Sequence, residues 1–225
     1  EQVTAIGSLA AALAAAAPSA CASVTGWILS GEPLTDHMID VIRAVTPDAT
    51  IDNSYGSSEV AGDVAVQRVD GDPAVIGTSV DNTTLRLLDS RLRPVRNAVP
   101  GDLYVSGVQL ARGYSGKPAE TATRFVADPG GDGARMYRTG DRARLVDGVL
   151  VFLGRDDRQV KIRGHRVELG EVESWTASEP SVDECAVVAV SDGDGVGVLV
   201  AYVTPDSVDT ASVREALRGR VPDYL

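Results

Sequence analysis

The chain has 225 residues, a hydrophobic fraction of 44% and a net charge of -11 at pH 7. This length suits one large or two small globular domains, and the acidic balance argues against nucleic acid as a large-surface partner. No apolar run reaches the length of a membrane span, and the Ala-rich stretch Leu9 to Ala17 lacks the basic start of a secretion signal, so a cytoplasmic protein without a membrane partner is expected.

In chain order, Thr4 to Ala17 reads as a helix that stops at Pro18. Val24 to Leu29 reads as a short strand. Thr35 can cap a helix over Asp36 to Val45, where Met38, Ile39, Ile42 and Val45 share one face. Pro47 closes it, and Thr50 to Asn53 opens another strand, an α/β order. After Asp70-Gly71-Asp72-Pro73 the texture turns to short strands: Thr84 to Asp89, Asp102 to Gly107, Arg142 to Val146 and Val149 to Leu153. Asp147-Gly148 marks a hairpin, because both residues tolerate positive φ. From Arg155 the chain reads as a charged strand, Gln159 to Arg163, broken by Gly164. An acidic helix around Gly170 to Ser178 follows, then strands at Glu184 to Val190 and Val196 to Val203 around an Asp192 to Gly195 turn. A capped helix at Thr210 to Arg218 ends at Gly219. The expected organisation is the end of a large α/β domain at residues 1–72, a β-rich, barrel-like subdomain at 73–154, and part of a small α+β domain at 155–225.

Positive charge is concentrated between Arg135 and Arg166, which suits a small anion such as a nucleotide phosphate. Cys21 and Cys185 lie far apart in apolar surroundings and read as buried thiols, and no Cys/His cluster suggests zinc. Three segments carry chemistry. Asn53-Ser54-Tyr55-Gly56-Ser57-Ser58-Glu59 follows a strand, where a loop can present a flat ring, hydroxyls and a carboxylate for a divalent cation. Tyr137-Arg138-Thr139-Gly140-Asp141 enters the hairpin with a carboxylate able to accept two hydrogen bonds from a ribose diol. The run Gly154 to Glu173 is dense in both signs of charge, with Lys161 and Arg163 two residues apart on one strand face. Each segment alone reads more readily as a polar turn or a solvated strand.

Together, in this order, the three segments resemble the adenylation domains of nonribosomal peptide synthetases, within the adenylate-forming superfamily. Further matching stretches are Trp27 to Leu34, Gly101 to Tyr114, Arg124 to Pro129 and Met136 to Asp141. The resemblance implies an ATP- and Mg2+-dependent ligase that makes an aminoacyl-AMP and then loads the phosphopantetheine of a peptidyl carrier protein. By position it implies Asn53 and Tyr55 as adenine contacts, Ser58 as α-phosphate contact, Glu59 as magnesium ligand, Asp141 as ribose carboxylate and Arg155 as its basic neighbour. Asp157 falls at the hinge, and Lys161 and Gly164 fall on the face presented for the second half-reaction. Ile28, Ser30, Ser54, Gly62 and Asp63 align with amino-acid pocket positions. Asp63 there reads as a buried carboxylate awaiting a donor or a positive charge. Ala134 falls in the segment that docks an MbtH-like protein. The phosphate loop and the C-terminal lysine of the resemblance are missing, so the chain reads as a fragment that does not adenylate by itself. A stand-alone acyl or aryl ligase and a non-catalytic platform for an MbtH-like protein are the alternative readings.

Overall fold

A computed structural model describes residues 1–70, 75–131, 133–162, 164–191, 197–222 and 224–225. The Gly71 to Pro73 boundary, the place of Arg163 on its strand and the turn at 192–195 lie outside the described residues. The chain forms two compact units, Glu1–Asp157 and Arg158–Leu225, with mixed α/β architecture.

In the first unit, β1 (Gln2–Ile6), β2 (Gly26–Ser30) and β3 (Thr50–Ser57) run parallel, in that order. The single N-terminal helix expected from Thr4 is therefore corrected: β1 comes first and α1 covers Gly7–Ala16. Val3, Thr4 and Ile6 are β-branched and suit the pleated ladder beside β2, which satisfies their backbone groups. A short α2 (Pro18–Cys21) follows α1, and α1 and α3 (Asp36–Val45) pack on one face of this sheet over Trp27, Leu29 and Ile51. Each of these apolar side chains contributes about 2 kcal/mol by burial. Thr35 caps α3, its hydroxyl accepting from the Met38 N–H at 3.3 Å. The buried Trp27 indole donates to Thr46 at 3.1 Å, so no polar group is stranded there.

A turn of 3-10 helix at Ser58–Val60 reverses the chain into β4 (Gly62–Arg68), antiparallel to β3 with a bulge between Tyr55 and Gly56. A side chain at Gly56 would collide with the Gly62 carbonyl, so the two strands need glycine there. The sheet continues through β5 (Val75–Ser79) to β10 (Val149–Arg155), β9 (Arg135–Val146), β7 (Gly101–Gly107) and β6 (Thr83–Leu88), nine strands along this path among the described residues. α4 (Pro118–Arg124) leads into the short β8 (Phe125–Ala127), which pairs with the start of β9. The β9–β10 turn is the expected hairpin, with Asp147 at φ 50° and Gly148 at φ 83°.

In the second unit, the charged strand and the acidic helix are both present, and a second strand that the sequence does not suggest stands between them. β11 (Gln159–Ile162) pairs with β12 (His165–Glu168) around Gly164 at φ 76°, and α5 (Leu169–Ala177) follows. β13 (Glu184–Ser191) and β14 (Gly197–Thr204) pair antiparallel, and α6 (Thr210–Leu217) is capped by Asp209, which accepts from the Ala211 N–H at 3.0 Å. Arg158 forks the Glu173 carboxylate, and Glu173 also accepts from the Val187 N–H at 2.8 Å, tying the start of the unit to α5 and β13.

Candidate functional site

Residues 53–59 are not a loop after a strand, as the sequence suggests, but the continuation of β3 and the turn beyond it. Pairing with β4 supplies the ladder that a sequence rich in Asn, Ser and Gly does not advertise. This matters for geometry: side chains on a paired strand have fixed directions, whereas loop side chains do not. Likewise Tyr137 to Asp141 lie inside β9, not at the hairpin entry.

Strand pairing brings Tyr55, Asp141, Arg155 and Asp157 into one connected group. The Tyr55 hydroxyl donates to Asp141 Oδ2. Arg155 donates to Asp141 Oδ1 and, at 3.0 Å, to the Thr139 carbonyl. It also forks Asp157, with Nε to Oδ1 at 2.7 Å and Nη2 to Oδ2 at 2.9 Å. The Asp141 N–H is held by Thr139 Oγ1 at 3.0 Å. Asp141 is buried at 7% exposure, which is tolerable only because the cation lies against it. Burial pushes the Tyr55 hydroxyl well above the ordinary tyrosine range, and the adjacent Asp141 carboxylate pushes it further, so Tyr55 remains a donor at all working pH. Its ring sits between two apolar clusters, one around Val105 and Tyr137, the other around Leu103 and Leu150.

Asn53 lies on the same strand, but its amide donates to the Val75 carbonyl at 2.9 Å and so braces β5. Glu59 is buried at 6% exposure in the 3-10 turn, and its Oε1 accepts from the Tyr114 hydroxyl at 2.8 Å. Its carbonyl accepts from the Ala111 N–H at 2.8 Å, which fixes residues 111–114 over the turn. Burial raises Tyr114, followed by hydrogen bonding with Tyr137 and Glu59, so Tyr114 too is a permanent donor. The donor set fits magnesium: one buried carboxylate oriented by a hydrogen bond, with phosphate oxygens to complete the shell, is the usual protein share of a Mg2+ site. Among the described residues no group of three or more His, Cys, Asp or Glu could enclose a metal on its own. Ser58 opens the same turn and is exposed.

The pocket positions divide. Ser30 pairs with Ser54, and Ile28 lies two residues back on β2, so these three share one face of the sheet. Gly62 and Asp63 lie opposite Ser57 and Gly56 at the start of β4, and both are exposed. Asp63 is thus exposed in this chain rather than a buried carboxylate, and burial along β4 begins at Val64. Ala134 is exposed, and its carbonyl accepts from the Asp128 N–H at 2.9 Å. Lys161 lies on β11 opposite Arg166. Sequence reasoning missed Tyr114 and Arg124, whose partners Glu59 and Asp157 are far away along the chain, and Thr139, which joins the near Asp141 N–H to the distant Leu103 carbonyl. Their only signal is that they fall within or beside the matching stretches.

The AMP-binding enzyme family profile matches residues 3–115, and that of the AMP-binding enzyme C-terminal domain matches residues 171–225. The chain therefore belongs to the AMP-binding enzyme family. Its relatives place it among the adenylation domains of nonribosomal peptide synthetases. It is 45% identical to a dimodular nonribosomal peptide synthase of Bacillus subtilis (strain 168), over 77% of this chain and 8% of that protein. It is 39% identical to enterobactin synthase component F of Escherichia coli (strain K12), over 93% of this chain and 18% of that one. The structure of PA1221, a protein containing adenylation and PCP domains, matches 95% of this chain and 39% of its own, with a TM-score of 0.83 and 28% identity. The chain thus spans well under two thirds of the proteins it matches.

Proposed function

We propose that this chain supplies the nucleotide side of an amino-acid-activating adenylation centre. In the whole protein, an oxygen of the amino-acid carboxylate attacks the α-phosphorus of ATP. The new P–O bond gives aminoacyl-AMP, and the bond to pyrophosphate breaks with its electron pair leaving on pyrophosphate. The thiol of a phosphopantetheine on a peptidyl carrier domain then attacks the acyl carbonyl, and AMP leaves. The observation that carries this reading is the buried Asp141 carboxylate, oriented by Tyr55 and Arg155. A carboxylate has about four acceptor sites, so Asp141 can accept both ribose hydroxyls while keeping these two partners.

The other residues take supporting roles. The Tyr55 ring, anchored by its hydroxyl, stacks on adenine, and Asn53 lies beside it. The Ser58 hydroxyl donates to the α-phosphate. Glu59, held by Tyr114, takes the metal, and magnesium bound there supplies positive charge to the polyphosphate. Ile28, Ser30, Ser54, Gly62 and Asp63 border the amino acid, and Lys161 with Gly164 belongs to the face that serves the second half-reaction. Asp157, the last residue of the first unit, is the pivot between the two steps. The exposed Ala134 is the docking point for an MbtH-like protein, and Ala134→Glu should abolish co-purification with that partner. Among the described residues no helix is long and apolar enough to cross a membrane.

Amino-acid-dependent ATP–pyrophosphate exchange by the full-length protein that carries this chain tests the reading. Exchange with at least one amino acid is expected. None with any amino acid, with an MbtH-like partner supplied, would sink it.

A further inference from the structure

We propose that Arg124 is a positioning residue for the nucleotide site: it holds Asp157, and Asp157 in turn holds Arg155 against Asp141. The inference rests on the reading of Asp141 as the ribose carboxylate. Arg124 is the last residue of α4, remote in sequence from the other members. Its Nη2 donates to Asp157 Oδ2 at 3.1 Å, the same oxygen that receives Arg155 Nη2. Arg155 is thereby fixed at both ends of its planar fork, by Asp157 on one side and by Asp141 and the Thr139 carbonyl on the other. Side-chain exposures of 24% for Arg124, 23% for Asp157, 15% for Arg155 and 9% for Asp141 shield these pairs from solvent more than an ordinary surface bridge.

The backbone is shaped around the junction. Gly140 sits at φ 81°, and an added Cβ would collide with Asp157 Oδ2 and Arg155 Nη2 and lie 3.1 Å from Arg124 Nη1. Three side chains from α4, β10 and the residues after β10 thus converge over one glycine of β9. The Asp156 N–H donates to the Gly140 carbonyl at 2.9 Å, which fixes where the Asp157 carboxylate starts. Its final orientation is a side-chain matter, and the Arg124 bond helps to set it. Without that bond the carboxylate gains rotational freedom, and the fork geometry of Arg155 toward Asp141 loosens with it. The effect should fall on nucleotide binding, since Arg124 has no bond to the amino-acid side of the sheet among those described.

The test is steady-state pyrophosphate exchange by the full-length protein. Arg124→Met should raise the KM for ATP about tenfold and leave the KM for the amino acid unchanged. Arg124→Lys, which keeps the charge but not the fork, should recover part of the loss. Asp157→Asn combined with Arg124→Met should be no worse than the more damaging single change, because both act through one carboxylate. Lys117→Ala, which breaks an exposed 3.4 Å pair at the start of the same helix, should leave both KM values unchanged. An unchanged KM for ATP, equal losses for ATP and amino acid, or fully multiplicative effects in the double variant would overturn the inference. If the unaltered protein shows no exchange, the adenylation reading fails, and a crystal structure of Arg124→Met decides the inference alone. Arg155 displaced from Asp141 supports it, and Arg155 unmoved overturns it.

Discussion

One ion pair from each unit of the chain shows two opposite kinds of charge pairing. In the first, Arg155 and Asp141 meet with side-chain exposures of 15% and 9%, on paired strands beside the buried Thr139 and Ala143. In the second, Arg218 and Glu215 meet at 69% and 70% on the outer face of α6. Coulomb attraction is several times stronger where water is excluded, but so is the cost of leaving one partner behind. The difference explains why a site can be built on the first kind of pair and not on the second. A buried pair stays where the backbone puts it, and its loss is felt by everything packed around it. An exposed pair is replaced by water at little cost.

Substitutions ranked by expected effect test this contrast. Asp141→Ala should reduce pyrophosphate exchange about a hundredfold, since charge-assisted hydrogen bonds to the ribose are lost. It should also lower unfolding free energy by about 3 kcal/mol in denaturant titration, because Arg155 remains with one acceptor fewer. Retained exchange would remove the ribose assignment. Glu59→Gln keeps the shape and the Tyr114 hydrogen bond but drops the charge. The magnesium concentration for half-maximal exchange should rise about tenfold, and an unchanged requirement would place the metal elsewhere.

Asp128 gives an effect on stability alone. Burial would raise this carboxyl, but the Gly130 N–H, Ser106 and Arg86 outweigh it and hold the group below the ordinary carboxylate range. A folded-state value below the unfolded one means that the stabilisation is complete above the unfolded value near pH 4 and disappears as pH falls through the folded value. Asp128→Asn should therefore cost about 1 kcal/mol at neutral pH and flatten the loss of Tm below about pH 4. A parallel pH profile would show that the group is not linked to folding. Arg218→Ala should shift stability by no more than about 0.5 kcal/mol, and a larger change would break the contrast between the two pairs.

Legibility in the sequence followed the range of the forces involved. The helix Asp36–Val45 was readable because its cap and its apolar stripe are both local, and the Asp147-Gly148 turn because positive φ selects its residues. β1, β4 and β12 were not: Gln2 to Ile6 become a strand by pairing with β2 far along the chain, and Gly62 to Arg68 and His165 to Glu168 by pairing back on the strands just before them. The site shows the same division. Glu59, Asp141 and Arg155 could be singled out by residue type and by the resemblance of their segments. Tyr114 beneath Glu59 and Arg124 beside Asp157 could not, because each is separated from its partner by a long stretch of chain.

By itself, the sequence determined the kind of protein: which carboxylates, hydroxyls and guanidinium groups exist, and in which order they occur. Only the tertiary structure decided that residues 53–57 are a strand rather than a loop, that Asp63 is exposed, and that Tyr55, Arg155 and Arg124 converge on the carboxylates of Asp141 and Asp157. The physical reason is that residue type fixes what a side chain can do chemically. Its direction comes from strand register and from hydrogen bonds closed across the sheet, and those are set by partners that local sequence does not contain.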